Sequence, residues 1–280
     1  GAEKVIGEAT AGIDINKFNA ISLYDVLGEI EEIRSKLVSL KDSAKNFKIH
    51  MIGHAHIDMT WLWPIEETFN NVCPNTFNTV NKLMEDYPEF KFSQSQAFLY
   101  KKMEDKYPYI FQNIKQRVHE GKWDITASTW VEFDPTMVSG ESIVRQILYA
   151  KLYIKEKFGF DTEVCWMPDN FGHPWTLPQI LKKSGLNYYY FMRSSRKGFD
   201  LFLWESPDGS RVIAFNSAYM GNVDPKTLIQ LAKYNKEDKN IDISMFVYGI
   251  GDHGGGPTKE DIKIINKLNN KNIYPELKFS

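Results

Sequence analysis

The sequence predicts an α/β domain, with seven strands in a mainly parallel, β/α barrel-like sheet and an N-terminal lead-in helix. Two observations carry that expectation. From residue 47 onward, short β-prone runs alternate with helix-length segments, the pattern of βαβ units around a parallel sheet. The chain also has 280 residues, 42% of them hydrophobic and 14% aromatic, which is enough to bury one large core.

The elements follow in chain order. Leu23, Val26, Leu27, Ile30, Ile33 and Leu37 share one helical face ahead of the polar stretch 41–45, so residues 1–45 read as a lead-in helical segment from an upstream domain. Residues 46–280 read as the N-terminal part of the α/β domain. Strands are expected at 48–53, 91–96, 123–128, 163–168, 187–192, 211–216 and 243–250. Pro207-Asp208-Gly209, between Leu203-Trp204-Glu205 and Arg211-Val212-Ile213, marks a hairpin inserted into the pattern. In such a fold the chemistry belongs at the C-terminal ends of the strands.

Composition removes several classes of function. A net charge of -2 gives no basic excess for a phosphate backbone, so nucleic acid is not the expected partner. The two cysteines, Cys73 and Cys165, are far apart and in no metal-ligand spacing, which argues against a disulfide framework or zinc finger and for a reducing, cytoplasmic compartment. No apolar run approaches the roughly 20 residues that span a bilayer.

Three strand ends carry chemistry. The first is His54-Ala55-His56-Ile57-Asp58. Strand alternation places His54, His56 and Asp58 on one face, and imidazole plus carboxylate is a donor mix suited to zinc and its neighbours. Trp61, Trp63 and Trp175 are candidates for stacking on a sugar ring, although aromatic side chains more often serve a core. The second is Pro168-Asp169-Asn170-Phe171-Gly172-His173, where Asp169 is a turn or cap residue, a nucleophile or a metal ligand. The third is Gly251-Asp252-His253-Gly254-Gly255-Gly256-Pro257-Thr258; no Lys-Ser/Thr follows the glycines, so it is not a P-loop. Carboxylates beside a metal serve a retaining glycosidase or a metal-dependent carbohydrate deacetylase, and residue chemistry alone leaves both open.

With Trp61-Leu62-Trp63-Pro64, Trp130-Val131-Glu132, Ser139-Gly140-Glu141-Ser142 and Arg145-Gln146 added to these three motifs, the chain resembles the glycoside hydrolase family 38 α-mannosidases, particularly their bacterial and cytosolic branch. The resemblance implies cleavage of terminal α-linked mannose from oligosaccharides with retention of configuration. It implies His56, Asp58 and Asp169 as ligands of Zn2+ or another divalent cation such as Co2+, with His54 in support. Asp169 becomes the nucleophile and Asp252 the general acid, its pKa expected to be raised by a neighbouring anion and burial. Arg193 is expected to keep Asp169 ionised, and Trp61, Phe171, Tyr219 and His253 to contact substrate. The family completes its metal site with a His from a His-His-Asp segment beyond the glycine-rich loop. No such segment occurs here, so a truncated catalytic domain is expected, with any homo-oligomer forming through the missing domains. A non-catalytic carbohydrate-binding domain is the alternative from another class.

Overall fold

The structure is a computed structural model that describes residues 23–194 and 200–280. Of the lead-in segment, residues 1–22 lie outside the described residues, as do the side chains of Leu23 and Val26. Its helix, α1, spans Leu23–Leu37, and a 3-10 turn at Val38–Leu40 leads into α2 at Lys41–Asn46. Leu27 and Ile30 on the predicted apolar face are exposed.

Beyond it the alternation is as expected. Strand β1 covers Lys48–His54, followed by α3 at Ile65–Glu67, a π-helical turn at Thr68–Val72 and α4 at Cys73–Asp86. Then come β2 (Phe92–Gln94), α5 (Ala97–Lys106), α6 (Pro108–His119), β3 (Trp123–Ile125), α7 (Gly140–Phe158), β4 (Val164–Trp166), α8 (Leu177–Lys183) and β5 (Tyr188–Phe191). The chain continues through β6 (Leu201–Glu205), β7 (Arg211–Asn216), α9 (Pro225–Lys239), β8 (Ile243–Tyr248), α10 (Lys259–Asn269) and β9 (Glu276–Phe279). Local chemistry sets the ends: Ser139 accepts from the Ser142 amide to open α7, and Gly159 closes it at φ 82°.

The described residues hold nine strands rather than seven, in two sheets rather than one. One has the order β3-β2-β1-β8 with β9 also on β1, the other β4-β5-β7-β6. The first extra strand, β6, is the hairpin arm, antiparallel to β7 with Glu205 opposite Arg211. The second, β9, has only Leu277 and Phe279 turned inward, too short an alternation to stand out in sequence. The pairings β1 with β2, β2 with β3, β4 with β5 and β5 with β7 are parallel, which establishes the parallel α/β class; the ladders leave barrel closure unshown.

By contacts, one unit takes in the chain to His50 with 224–244 and 263–278, and the other holds 51–223, 245–262 and 279–280. In the first, the Lys48 amide donates to Asp242 O and the Glu276 amide to Phe47 O. In the second, alternation along β5 sends Tyr189 and Phe191 into a core with Cys165, Leu177, Leu181, Val212 and Ala214, and Tyr190 to the other face with Trp166, Tyr219 and Val247. The first of these faces is buried, whereas the second leaves Tyr188, Leu201, Leu203 and Ile213 exposed. Each large side chain so buried contributes about 1.5–3 kcal/mol.

Candidate metal and catalytic centre

The site lies in the second unit, where the segments after β1, β3, β4, β5, β7 and β8 meet. Strand β1 stops at His54, and an irregular stretch carries His56 and Asp58 onward. The loop after β8 zips against that stretch: Ile57 and His253 form an antiparallel bridge, the Asp58 amide donates to Asp252 O at 2.9 Å, and the Gly254 amide to His56 O at 3.2 Å. Gly251 permits the approach, since a Cβ there would stand 2.9 Å from the His56 Cβ and 2.3 Å from the Met220 sulfur. Asp252 itself sits at φ 62°, a strained setting for a non-glycine residue of the kind found at functional sites.

His54 is not part of the cluster. It is buried, with Nδ1 2.9 Å from Ser93 O and Nε2 accepting from Trp166 Nε1 at 3.2 Å. These bonds fix the neutral tautomer with Nδ1–H as donor, and burial drives its pKa down to about 3. Both nitrogens are in use, so the shared-face reading of three ligands fails because the strand ends before Asp58.

His56 has the opposite surroundings. Its Nδ1 lies 2.9 Å from Asp252 Oδ1 and its Nε2 2.9 Å from Glu132 Oε2. Burial alone would lower its pKa, but the charge of Glu132, the bonds to Asp252 and Glu132 and the charge of Asp58 together lift it to about 10. Asp58 is pushed up to about 6, first by burial and then, against the pull of His56, by Asp252, Asp169 and Glu132.

Asp169 is held by different partners. Arg193 Nε donates to its Oδ1 at 2.6 Å, a second guanidinium nitrogen lies 2.5 Å from the same oxygen, and the Tyr219 hydroxyl donates at 2.8 Å. That hydroxyl is also 3.4 Å from Asp252 Oδ1. Burial and the adjacent Asp169 push the Tyr219 phenol well above its usual pKa, so it stays a donor. Asp252 is not raised as expected: the His56 hydrogen bond, outweighing partial burial, lowers it.

Glu132, quoted only as part of a motif, is the residue that sequence reasoning missed. One of its oxygens binds His56 and the other accepts from the Asp169 amide at 2.8 Å, so it ties two strand ends together. Gln96 completes the frame, donating to Ile57 O at 2.8 Å and accepting from the Glu132 amide at 3.0 Å. The signal available was a Glu just beyond the third predicted strand, where the fold rule places chemistry.

The Arg193 guanidinium packs on the Phe171 ring at 4.3 Å. A cavity of about 180 Å³ is lined by Asp58, Gln96, Glu132, Asp169, Phe171 and their neighbours. Phe171 and Trp61 are 68% and 62% exposed, open to a ligand. Trp175 lines neither this cavity nor the one beside Trp63.

Donor atoms of His56, Asp58 and Asp252 lie within 4.8 Å of one another. The donor types suit a divalent cation, and the electrostatics agree. Four carboxylates share one pocket, where a His is pulled up to about 10 and an Asp to about 6; added positive charge relieves both. The triplet includes Asp252; Asp169, the third ligand expected from the sequence, stands beside it across the Tyr219 hydroxyl, with its Oδ1 bound by Arg193 and Tyr219.

A parallel α/β domain with a carboxylate-rich, cation-competent centre at its strand ends is the class defined here. The model of the glycosyl hydrolases family 38 N-terminal domain matches residues 46–280, and the chain belongs to that family. It is 34% identical to alpha-mannosidase G of Dictyostelium discoideum over 90% of this chain and 24% of that protein. It is 32% identical to alpha-mannosidase 2C1 of Homo sapiens over 83% of this chain and 23% of the relative. The chain thus spans about a quarter of these relatives' length. Among solved structures, an alpha-mannosidase from Enterococcus faecalis V583 superposes with a TM-score of 0.69 at 23% identity, over 84% of this chain and 28% of that one. A 4-alpha-glucanotransferase from Thermococcus litoralis gives 0.60 at 15%, over 84% and 39%. These two superpositions support the fold alone.

Proposed function

We propose that this domain carries the catalytic centre of a retaining α-mannosidase that removes terminal α-linked mannose from oligosaccharides. The observation that carries the reading is the placement of Asp169 and Asp252 on one phenol oxygen. Hydrogen-bond distances of 2.8 and 3.4 Å to Tyr219 keep their Oδ1 atoms closer than the roughly 6.5 Å at which inverting pairs begin, near the spacing of a retaining pair.

Asp169, oriented by Arg193 and Tyr219, attacks the anomeric carbon as the glycosidic bond breaks and forms the glycosyl ester. Asp252 gives the leaving oxygen its proton and later takes one from the incoming water. An imidazolium at His56 donates to both Asp252 and Glu132 and lowers the Asp252 pKa; a neutral His56 donates to one carboxylate only, which frees Asp252 to hold the proton it delivers. Trp61 and Phe171 offer faces to the sugar. A bound Zn2+, or another divalent ion such as Co2+, held by His56, Asp58 and Asp169, would supply positive charge to sugar hydroxyls. Among the described residues no helix is long and apolar enough to cross a membrane, and Cys73 and Cys165 are free thiols, which supports a cytoplasmic setting.

The test is trapping with a fluorinated mannosyl donor on the full-length protein with zinc, read by mass spectrometry. Label on Asp169 is the expected result. Label on another residue, or release of acetate from acetylated sugars with no mannose from mannosides, sinks the assignment.

A further inference from the structure

The loop that carries Asp252 holds a run of left-handed backbone. Asp252 sits at φ 62°, and Gly254, Gly255 and Gly256 follow at 71°, 101° and 71°. Glycine takes such angles at little cost. An Asp does not, and a strained residue of this kind persists only where its surroundings over-determine it. Main-chain bonds supply part of the constraint. Ile250 and Gly256 exchange amide-to-carbonyl bonds at 3.0 and 2.9 Å, Asp252 O accepts from the Asp58 amide, and the Gly254 amide donates to His56 O. The two bonds of that set that leave the loop both end on residues 56–58, which are themselves irregular.

Restraint from regular structure comes from α4. Its buried residues Cys73, Phe77, Val80 and Met84 recur at helical spacing, and Thr76 is buried with them. A hydroxyl among apolar side chains is costly unless it is paired. Thr76 Oγ1 accepts from the Gly255 amide at 3.0 Å, across 179 positions of sequence. Among the described residues this is the only side-chain hydrogen bond to the main chain of 250–256. The packing is equally close: a Cβ at Gly254 would stand 2.6 Å from Thr76 Oγ1 and 2.7 Å from Val72 Cγ1, so the loop lies directly on this helix and the turn before it.

A proton donor must stand within hydrogen-bond reach of the oxygen it serves, and a misplacement of about 1 Å can cost roughly a hundredfold in rate. Resting on the reading of Asp252 as general acid, we propose that Thr76 is a positioning residue for proton transfer: its hydroxyl holds the glycine-rich loop on α4 and so keeps Asp252 in the strained conformation from which its carboxyl reaches the leaving oxygen. Thr76 takes no part in the bond changes. The proton passes from Asp252 to the leaving oxygen as that oxygen receives the electron pair of the glycosidic bond.

Leaving groups separate the placing of an acid from a general loss of structure. Dinitrophenolate departs without a proton, whereas methanol must be given one. For the full-length protein with zinc, the near-isosteric Thr76→Val should lower kcat/KM for methyl α-mannoside about tenfold and change that for dinitrophenyl α-mannoside by less than about twofold. Thr76→Ser, which keeps the hydroxyl, should behave as the unsubstituted protein on both. Equal losses on the two substrates, or no loss on the methyl glycoside, overturn the proposal. Amide hydrogen exchange read by mass spectrometry tests the anchor without turnover. Exchange across residues 251–256 should quicken about tenfold in Thr76→Val and stay at the unsubstituted rate in Thr76→Ser; unchanged exchange in Thr76→Val overturns the anchor. If the unsubstituted protein cleaves neither mannoside while the exchange difference holds, the mannosidase reading falls and the anchor stands.

Discussion

His54 and His56 stand two residues apart, yet the pocket that holds one and the rim that holds the other treat the same side chain in opposite ways. The His54 pocket is closed, with a backbone carbonyl and an indole N–H as the partners of the ring, and the pKa falls to about 3. The rim surrounds His56 with Glu132, Asp252 and Asp58, and the pKa climbs to about 10. Burial is nearly complete for both, so depth does not separate them. Nearby anions do: desolvation penalises charge in each place, and only on the rim is there enough carboxylate to overcome it. The pocket holds a structural histidine, whereas the rim holds one whose proton a cation can replace.

Substitution is the strongest way to break that contrast. His56→Ala should weaken zinc by more than about a hundredfold, measured by competition with a chelator, with mannoside hydrolysis falling in step. His54→Ala should keep zinc affinity within a few-fold and instead lower stability by about 2–4 kcal/mol, through a cavity and a stranded indole N–H, measured by urea denaturation. If His54→Ala loses metal while remaining equally stable, the division between pocket and rim is wrong.

The pH dependence of the metal-free protein gives a finer test, because the two histidines act with opposite sign. His54 binds its proton more weakly when folded, so its contribution is present above about 6.5 and is lost as pH falls toward 3. His56 binds its proton more tightly when folded; its contribution is full below about 6.5 and is lost as pH rises through about 10. Each slope approaches about 1.4 kcal/mol per pH unit within its window. Denaturation midpoints against pH should lose the acid-side slope in His54→Phe and the alkaline-side slope in His56→Gln. The smallest expected signal is proton release: zinc binding near pH 7.5 should free about one proton in buffers of different ionisation enthalpy, and His56→Gln should abolish it.

Much of this arrangement was legible in the residues. The βαβ alternation located every predicted strand, and strand-end placement picked out Asp58, Asp169 and Asp252, which do converge. Glu132 was not legible as a site residue, because a carboxylate beyond a strand has the same sequence signal whether it faces solvent or joins His56 to the Asp169 amide. The direction of the Asp252 shift was hidden for a related reason. It depends on a hydrogen bond to a residue 196 positions away, and no local pattern encodes one.

Sequence by itself determined the class of fold, the donor types and the loops that deliver them, since periodicity and residue chemistry are local properties. Tertiary structure alone decided which of two neighbouring histidines is a ligand candidate and which carboxylates share a pocket. It also set which of those carboxylates stay ionised. Each of these turns on electrostatics across a few ångströms between segments far apart in the chain, and such distances exist only once the strand ends have been brought together.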